Sequence, residues 1–320
     1  MTRFILGRLL GAFVVLVIKS FVIFALIGLM PGDPIDLLAN ANPDATAEDV
    51  VKLRQIYGVE QPITTRYVNW LDGIAHGDFG YSRIMHRPVL DIVIPALWNT
   101  IILTATAFVV STLLALTLGT LAALHRGSWL ERGINLFAFA GISVPGFWLG
   151  LLLIYVFAVK LGVLPAGGMP RDDGGYPPIA YLALPLLTLI FVEIGGLTRY
   201  VRSSMLEVLN QDYIRTARAK GLVSRRIIWV HALRNAMIPV TTIIALGFGH
   251  LFSGATLIET MFGWRGMGRL IYEAIMGNDY NLALICLMFT TIMILVANFL
   301  ADVAYSLLDP RISLYEVKQG

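Results

Sequence analysis

Read for hydropathy alone, the chain is a series of long apolar runs separated by shorter polar ones. Six runs, approximately Leu9–Met30, Trp98–Leu124, Leu136–Leu161, Ile179–Thr198, Met237–Thr260 and Leu282–Leu308, are long enough to span a bilayer. Crossing roughly 30 Å of hydrocarbon takes about 20 residues as a helix. None alternates with the period of two expected of barrel strands, and backbone groups in lipid must be satisfied inside the segment, so the runs predict helices. The expected fold is all-α: a polytopic membrane protein with six transmembrane helices. The pattern divides it into a signal-anchor helix over 1–30, an extracytoplasmic loop with short helices over 31–97, a five-helix core over 98–308 that includes a cytoplasmic loop over 199–236, and a cytoplasmic tail over 309–320.

Composition strengthens that picture. Hydrophobic residues make up 57% of the chain and charged residues 14%, whereas a soluble domain carries about 25% charged residues. An isoelectric point near 9.0 would suggest nucleic acid as the partner of a soluble protein. In a membrane protein the excess of lysine and arginine in cytoplasmic loops explains it better. The single cysteine, Cys286, excludes an intrachain disulfide and a cysteine-based metal site. The N-terminal run "MTRFILGRLLGAFVVLVIKSFVIFALIGLM" is too long for a signal peptide, and no small-residue cleavage site follows it, so it is expected to stay as an anchor.

Loop charges orient the helices. Arg3 and Arg8 precede the first run, His125, Arg126 and Arg132 flank the second connection, and the fourth connection is the most basic of all. The loop 31–97 holds nine acids and five bases, and the loop 162–178 holds Arg171 against Asp172 and Asp173. With alternating helices, both termini and the basic loop fall in the cytoplasm.

That basic loop, "QDYIRTARAKGLVSRRIIWVHALRNAMIP", sets six cations against the single acid Asp212. Asp212 is placed to cap a helix N-terminus, Gly221 to end it, and Ser224 to cap a second helix leading into the fifth span. The short helix between is marginal alone, since isolated helices need roughly 12–15 residues. It needs a surface to pack on. Ile214, Ala217 and Leu222 offer a small apolar face, small residues permit close approach, and Arg215, Arg218 and Lys220 rim it to steer an acidic partner. A solvated basic loop lying against anionic lipid accounts for the same charges.

The stretch "DYIRTARAKGL" followed by "HALRNAMIP" resembles the cytoplasmic coupling-helix motif of ABC-transporter permeases, in the form found in dipeptide/oligopeptide-type importers. Arg215-Thr216-Ala217 stands where the broad permease signature has Glu-Ala-Ala, with Gly221 at the family's spacing. "FALIGLMPGDP", "LRQIYGVEQPITTRYVNWLDGIAHGDFGYS", "ISVPGFWLGLLLIYVFAVKLGVLPAGG" and "LLDPRI" extend the likeness over nearly the whole chain, and Arg265 in "GWRGMGRL" occupies a position where proline is common in such permeases. The resemblance implies a type I ABC importer permease fold in a bacterial inner membrane. It implies two unlike permease subunits, two ABC ATPase subunits and an extracytoplasmic substrate-binding protein. It places the ATPase contact on Tyr213, Ile214, Arg215, Thr216, Ala217, Arg218, Ala219, Lys220, Gly221 and Leu222, with Ala217 and Gly221 buried closest to the partner. Relatives with this signature carry dipeptides, oligopeptides, glutathione, nickel chelates or sugars, with peptide the commonest.

No G-x-x-x-x-G-K-[ST] phosphate loop is present, so ATP and magnesium are expected in the partner subunits and no cofactor or metal in this chain. The five histidines are scattered, and neither H-E-x-x-H nor G-x-S-x-G occurs, which argues against a membrane enzyme. An ion-driven carrier would show more spans or paired broken helices. The long outer loop should carry helices over "AEDVVKLRQIYG", capped by Thr46, and over "QPITTRYVNWLDGIAHG". It serves as a lid or as a docking surface for the binding protein, and the segment 261–281, with Trp264 and Arg265 exposed, is a second docking candidate. Lys19, Glu193 and Asp302 are intramembrane charges, which are costly in lipid. Lys19 is expected to pair with one of the acids; a role in solute passage is the sharper alternative. Pro145 should kink the third helix, as a hinge or as a packing bend.

Overall fold

The computed structural model describes residues 2–29, 61–170 and 175–308 of the 320. The helix expected over Thr46–Gly58, the charges Arg171, Asp172 and Asp173, and the tail 309–320 lie outside the described residues. Five helices within them are long and apolar enough to cross a membrane, and a sharply bent helix pair makes a sixth when it is counted as one span.

The spans are α1 (Thr2–Gly28), α3 (Val89–Leu124), the pair α4 (Trp129–Ser143) and α5 (Gly146–Leu153), α6 (Pro178–Leu209), α8 (Leu233–Met261) and α10 (Tyr280–Leu308). Between them lie α2 (Ile63–Ala75), α7 (Asp212–Ala219) and α9 (Met267–Met276). Several spans overrun the apolar runs that announce them. α3 begins at Val89 rather than near Trp98, and α6 runs to Leu209 rather than Thr198. Polar ends extend a helix cheaply once its middle is nucleated.

The core forms where α3 and α6 lie side by side. α3 turns Ala107, Ser111, Ala115, Gly119, Ala122 and Ala123 inward at helical spacing. These side chains are small because lipid supplies no hydrophobic drive between helices, and close backbone packing must do the work. A side chain at Gly119 would collide with the backbone oxygen of Thr198 and with Val201. α1 stands at the edge, against α10 and α2. Tyr67 of α2 shares a hydrogen bond with Ser20 at 2.5 Å and packs its ring edgewise against Phe21.

The third span departs most from expectation. α4 and α5 meet at 105°, a break rather than a kink. Val144 and Pro145 are both extended (ψ 121° and 133°). Proline removes an N–H and drives its predecessor out of the helical region, so two successive residues leave the helix. Beyond α5 the chain continues as a π-helical stretch over Ile154–Lys160, and a second one over Ile227–Ala232 precedes α8. Nothing in the apolar pattern marks either.

Candidate functional site

The basic loop forms a real helix, α7, joined to α6 only through Asn210 and Gln211. Its caps differ from the sequence expectation. Gln211 is the N-cap and uses only its backbone, so Asp212 lies in the first turn, where its charge complements the helix dipole. Asp212 also pairs with Arg215 at 3.5 Å, but the carboxylate is 95% exposed, and such a pair adds little in water. Val223, not Ser224, likewise caps the next helical segment.

The C-terminal end follows the sequence. Gly221 takes φ +73°, the N–H of Gly221 donates to the Arg218 carbonyl at 3.0 Å, and that of Leu222 donates to the Ala217 carbonyl at 3.3 Å. This is the Schellman closure, which needs a left-handed residue at that position.

Two turns of helix stay folded because α7 packs on its own chain. Ile214 is wholly buried and Ala217 is 8% exposed. Both sit in one cluster with Ala123, Val201, Met205 and Ile227. The face expected to meet a partner most closely is therefore turned inward at Ala217. Gly221 is exposed, with open space where a side chain would be. Facing out are Tyr213, Arg215, Thr216, Arg218, Ala219 and Lys220, with Leu222 half-buried. Partial burial pushes the Tyr213 phenol up from its ordinary value.

The seat of α7 is tied to the spans by polar contacts that the sequence reading missed. Ser204 of α6 donates to the Ala236 carbonyl of α8 at 2.8 Å. Arg202 of α6 clasps Glu131 at the start of α4, its Nε donating at 2.8 Å. Glu131 also accepts from the Gly127 N–H at 2.5 Å, while the Ser128 hydroxyl accepts from the Glu131 N–H at 3.2 Å. The signal was there: Ser128-x-x-Glu131 is the capping-box pattern.

A cavity of about 530 Å³ opens among α3, the α4–α5 break, α6 and α8. Ile142, Pro145 and Gly146 bring the break to its wall. Glu193 is the charged residue among those lining it. The apolar run that predicts this span ends at Thr198, a few residues beyond Glu193. In α6 it lies sixteen residues before Leu209, about 24 Å along the axis at 1.5 Å per residue. The volume falls within the roughly 300–1,000 Å³ of small-molecule sites.

The other intramembrane charges separate. Asp302 pairs with Arg8 at 3.3 Å, not with Lys19. Lys19 stands on the exposed side of α1, about 16 Å farther along that helix than Arg8.

At the opposite end of the bundle Trp264 is not exposed as expected. It is 6% exposed, and its indole N–H donates to the Asn99 carbonyl at 3.0 Å. Arg265 is exposed, while its carbonyl accepts from the Asn99 amide at 2.8 Å. The reason lies one helix turn earlier. The buried carboxylate of Glu259 accepts from the Thr100 hydroxyl at 2.6 Å and from the Gly268 N–H at 2.7 Å, drawing the segment onto α3. Asp279 similarly accepts from the Ser82 hydroxyl at 2.6 Å. Among the described residues no group of three His, Cys, Asp or Glu side chains is placed to hold a metal ion.

Spanning helices, a solute-sized cavity among four of them and a short amphipathic helix seated beside their ends define a polytopic membrane protein of the transport kind. The chain belongs to the family described as binding-protein-dependent transport system inner membrane components, whose model matches residues 115–314, with the model of the N-terminal part matching 1–104. It is similar to the oligopeptide transport system permease protein AppB of Bacillus subtilis, 34% identical over 98% of this chain and 99% of that one. It is also similar to the glutathione transport system permease protein GsiC of Escherichia coli K12, 36% identical over 98% of this chain and 99% of that one. Among solved structures it shares the fold of the MetNI methionine ABC transporter in an inward-facing conformation, with TM-score 0.56, 18% identity and coverage of 69% of this chain and 98% of that one. The protein is thus a multi-pass inner-membrane transport subunit of this family.

Proposed function

We propose that this chain forms one half of the membrane passage of an ATP-driven importer of peptides or a closely related small solute such as glutathione. Its partners are a second, homologous permease, two ATPase subunits and a substrate-binding protein on the outer side. Both termini and α7 lie in the cytoplasm in this reading, and ATP is bound and hydrolysed only by the partner subunits. The observation that carries it is the way α7 is built. The helix spends its apolar side on its own bundle and offers Tyr213, Arg215, Thr216, Arg218 and Lys220 outward as a rigid polar knob.

An ATPase dimer that closes on ATP would move two such knobs together. A loaded binding protein then biases transport only through its different affinity for the two arrangements. Relatives named for oligopeptide and glutathione transport support the substrate class. Nickel chelates and sugars are the remaining alternatives.

The test is uptake into proteoliposomes containing the assembled complex, with labelled tripeptide and loaded binding protein. Uptake should require ATP and survive an ionophore. Uptake that ignores ATP and collapses with the ionophore would make the chain an ion-driven carrier instead.

A further inference from the structure

Among the described residues the ammonium of Lys19 makes no hydrogen bond or ion pair, although it sits deep in a span. Lys19 stands fourteen residues beyond Ile5 and nine before Gly28 in the apolar stretch of α1, about 21 Å and 14 Å along the axis. That places it near the middle of roughly 30 Å of hydrocarbon. Lysines close to a helix end reach the interface by snorkelling. Here a four-carbon stem would have to cover about 14 Å to the nearer end, so the head groups lie out of its reach.

The neighbouring helices supply no acid at this depth. α1 packs on α10 and α2. The acid of α10 is Asp302, paired with Arg8 at 3.3 Å, and Arg8 lies about 16 Å back along α1. The acid of α2 is Asp72, beside His76 at 3.6 Å. α1 turns Ser20, Phe21 and Phe24 to Tyr67 of α2. Lys19 lies on a different face, with Val15, Val22 and Leu26 spaced four, three and seven residues from it and all exposed. Lipid covers those three side chains as well as protein does, but it gives an ammonium nothing to pair with.

We infer that the Lys19 face of α1 is a contact with the second permease, where the ammonium pairs with a carboxylate on one of that subunit's spanning helices. The inference rests on the proposed assembly of two permeases. The pair also selects the partner. A second copy of this chain packing by the same face would set Lys19 against Lys19, whereas an unlike chain with an acid at that depth is admitted.

The experiment co-expresses this chain with the second permease and the ATPase subunits and purifies the complex through a tag on this chain. The ratio of second permease to this chain is measured for wild type, Lys19→Met, Lys19→Glu and Lys19→Arg. Lys19→Met leaves the facing carboxylate without a counter-charge, so retention of the second permease should fall about tenfold. Lys19→Glu should lose more, and Lys19→Arg should hold the wild-type ratio. A lysine that merely faces lipid behaves in the opposite way, because methionine is the better residue in hydrocarbon. Wild-type retention by Lys19→Met therefore overturns the inference.

The amount of each variant in the membrane separates a lost contact from lost insertion. Should Lys19→Met insert poorly, a photoreactive phenylalanine analogue at Val22 of the otherwise native chain decides. It should crosslink to a spanning segment of the second permease that holds Asp or Glu. Crosslinks confined to lipid, or to a second copy of this chain, overturn the inference and leave the transport reading standing. Failure of the wild-type chain to retain any second permease overturns the two-permease assembly, and the inference with it.

Discussion

Replacing Ile214 by alanine should release α7 from its seat without touching the outward face. Ile214 is wholly buried in the cluster formed by Val201, Met205, Ile227 and Ala236, and among the described residues no polar contact joins α7 itself to the spans. The eight residues of α7 cannot hold a helix by propensity alone, because stable isolated helices need roughly 12–15. Its stability is therefore close to the free energy of burying Ile214, with smaller shares from Ala217 and Leu222. Truncating a buried isoleucine to alanine costs about 2–5 kcal/mol. At about 3 kcal/mol the open form becomes roughly a hundred times more populated, since each 1.4 kcal/mol is tenfold.

Hydrogen exchange read by mass spectrometry on the purified permease should then show the amides of Ile214–Leu222 exchanging at least tenfold faster. Exchange in α3 and α6 should stay as it was. The comparator is Tyr213→Ala, on the exposed side, which should leave exchange unchanged yet weaken association with the ATPase subunits. If Ile214→Ala leaves exchange of α7 within twofold of wild type, the helix is not held by its own bundle, and the argument for an outward polar knob fails. The same geometry explains why a bulky residue at Ala217 is a poor probe of partner contact: it would unseat α7 first.

Two further substitutions probe the ends of the bundle. Thr100→Val removes the hydroxyl that donates to Glu259 at 2.6 Å and accepts from the Met267 N–H at 2.7 Å; leaving that N–H unpaired should cost about 1–3 kcal/mol, seen as a lower melting temperature of the purified protein. Gly221→Ala meets no atoms, so its cost is the left-handed backbone at φ +73°, about 1 kcal/mol, confined to faster exchange in α7.

What the sequence made legible, and what it hid, follows from the range of the forces involved. Spans were legible because twenty apolar residues in a row have one cheap conformation in lipid. The end of α7 was legible because Gly221 solves a local backbone problem. The direction in which α7 faces was not, since Ile214 and Ala217 form an apolar stripe that serves equally well for a partner or for the protein's own core. Only the position of α6 and α8 decides between them. Trp264 was misread for a similar reason: its neighbours Arg265 and Gly266 suggest a surface turn, while its burial depends on Asn99, distant in sequence. Pro145 announced a disturbance but not its size. The proline drives Val144 extended as well, and where α5 then lies is set by its packing on α6.

The contacts around α6 join the two candidate regions mechanically. α6 has 32 residues, about 48 Å of helix, and carries Glu193 at the cavity and Arg202 beside Glu131. Its last turn leads through two residues into α7. A push on α7 therefore reaches α6 directly, and through Arg202 it reaches Glu131 at the foot of α4. α4 is locked to α6 again by the glycine crossing at Gly141 and Gly195, so the two move as one body. α5 does not share that constraint, because the chain leaves the helix at Val144 and Pro145 before α5 begins. The cavity is bounded on one side by the α4–α6 body and on the other by the break and α8. In the proposed function, a movement of α7 is therefore expected at the cavity wall that α4 and α6 supply.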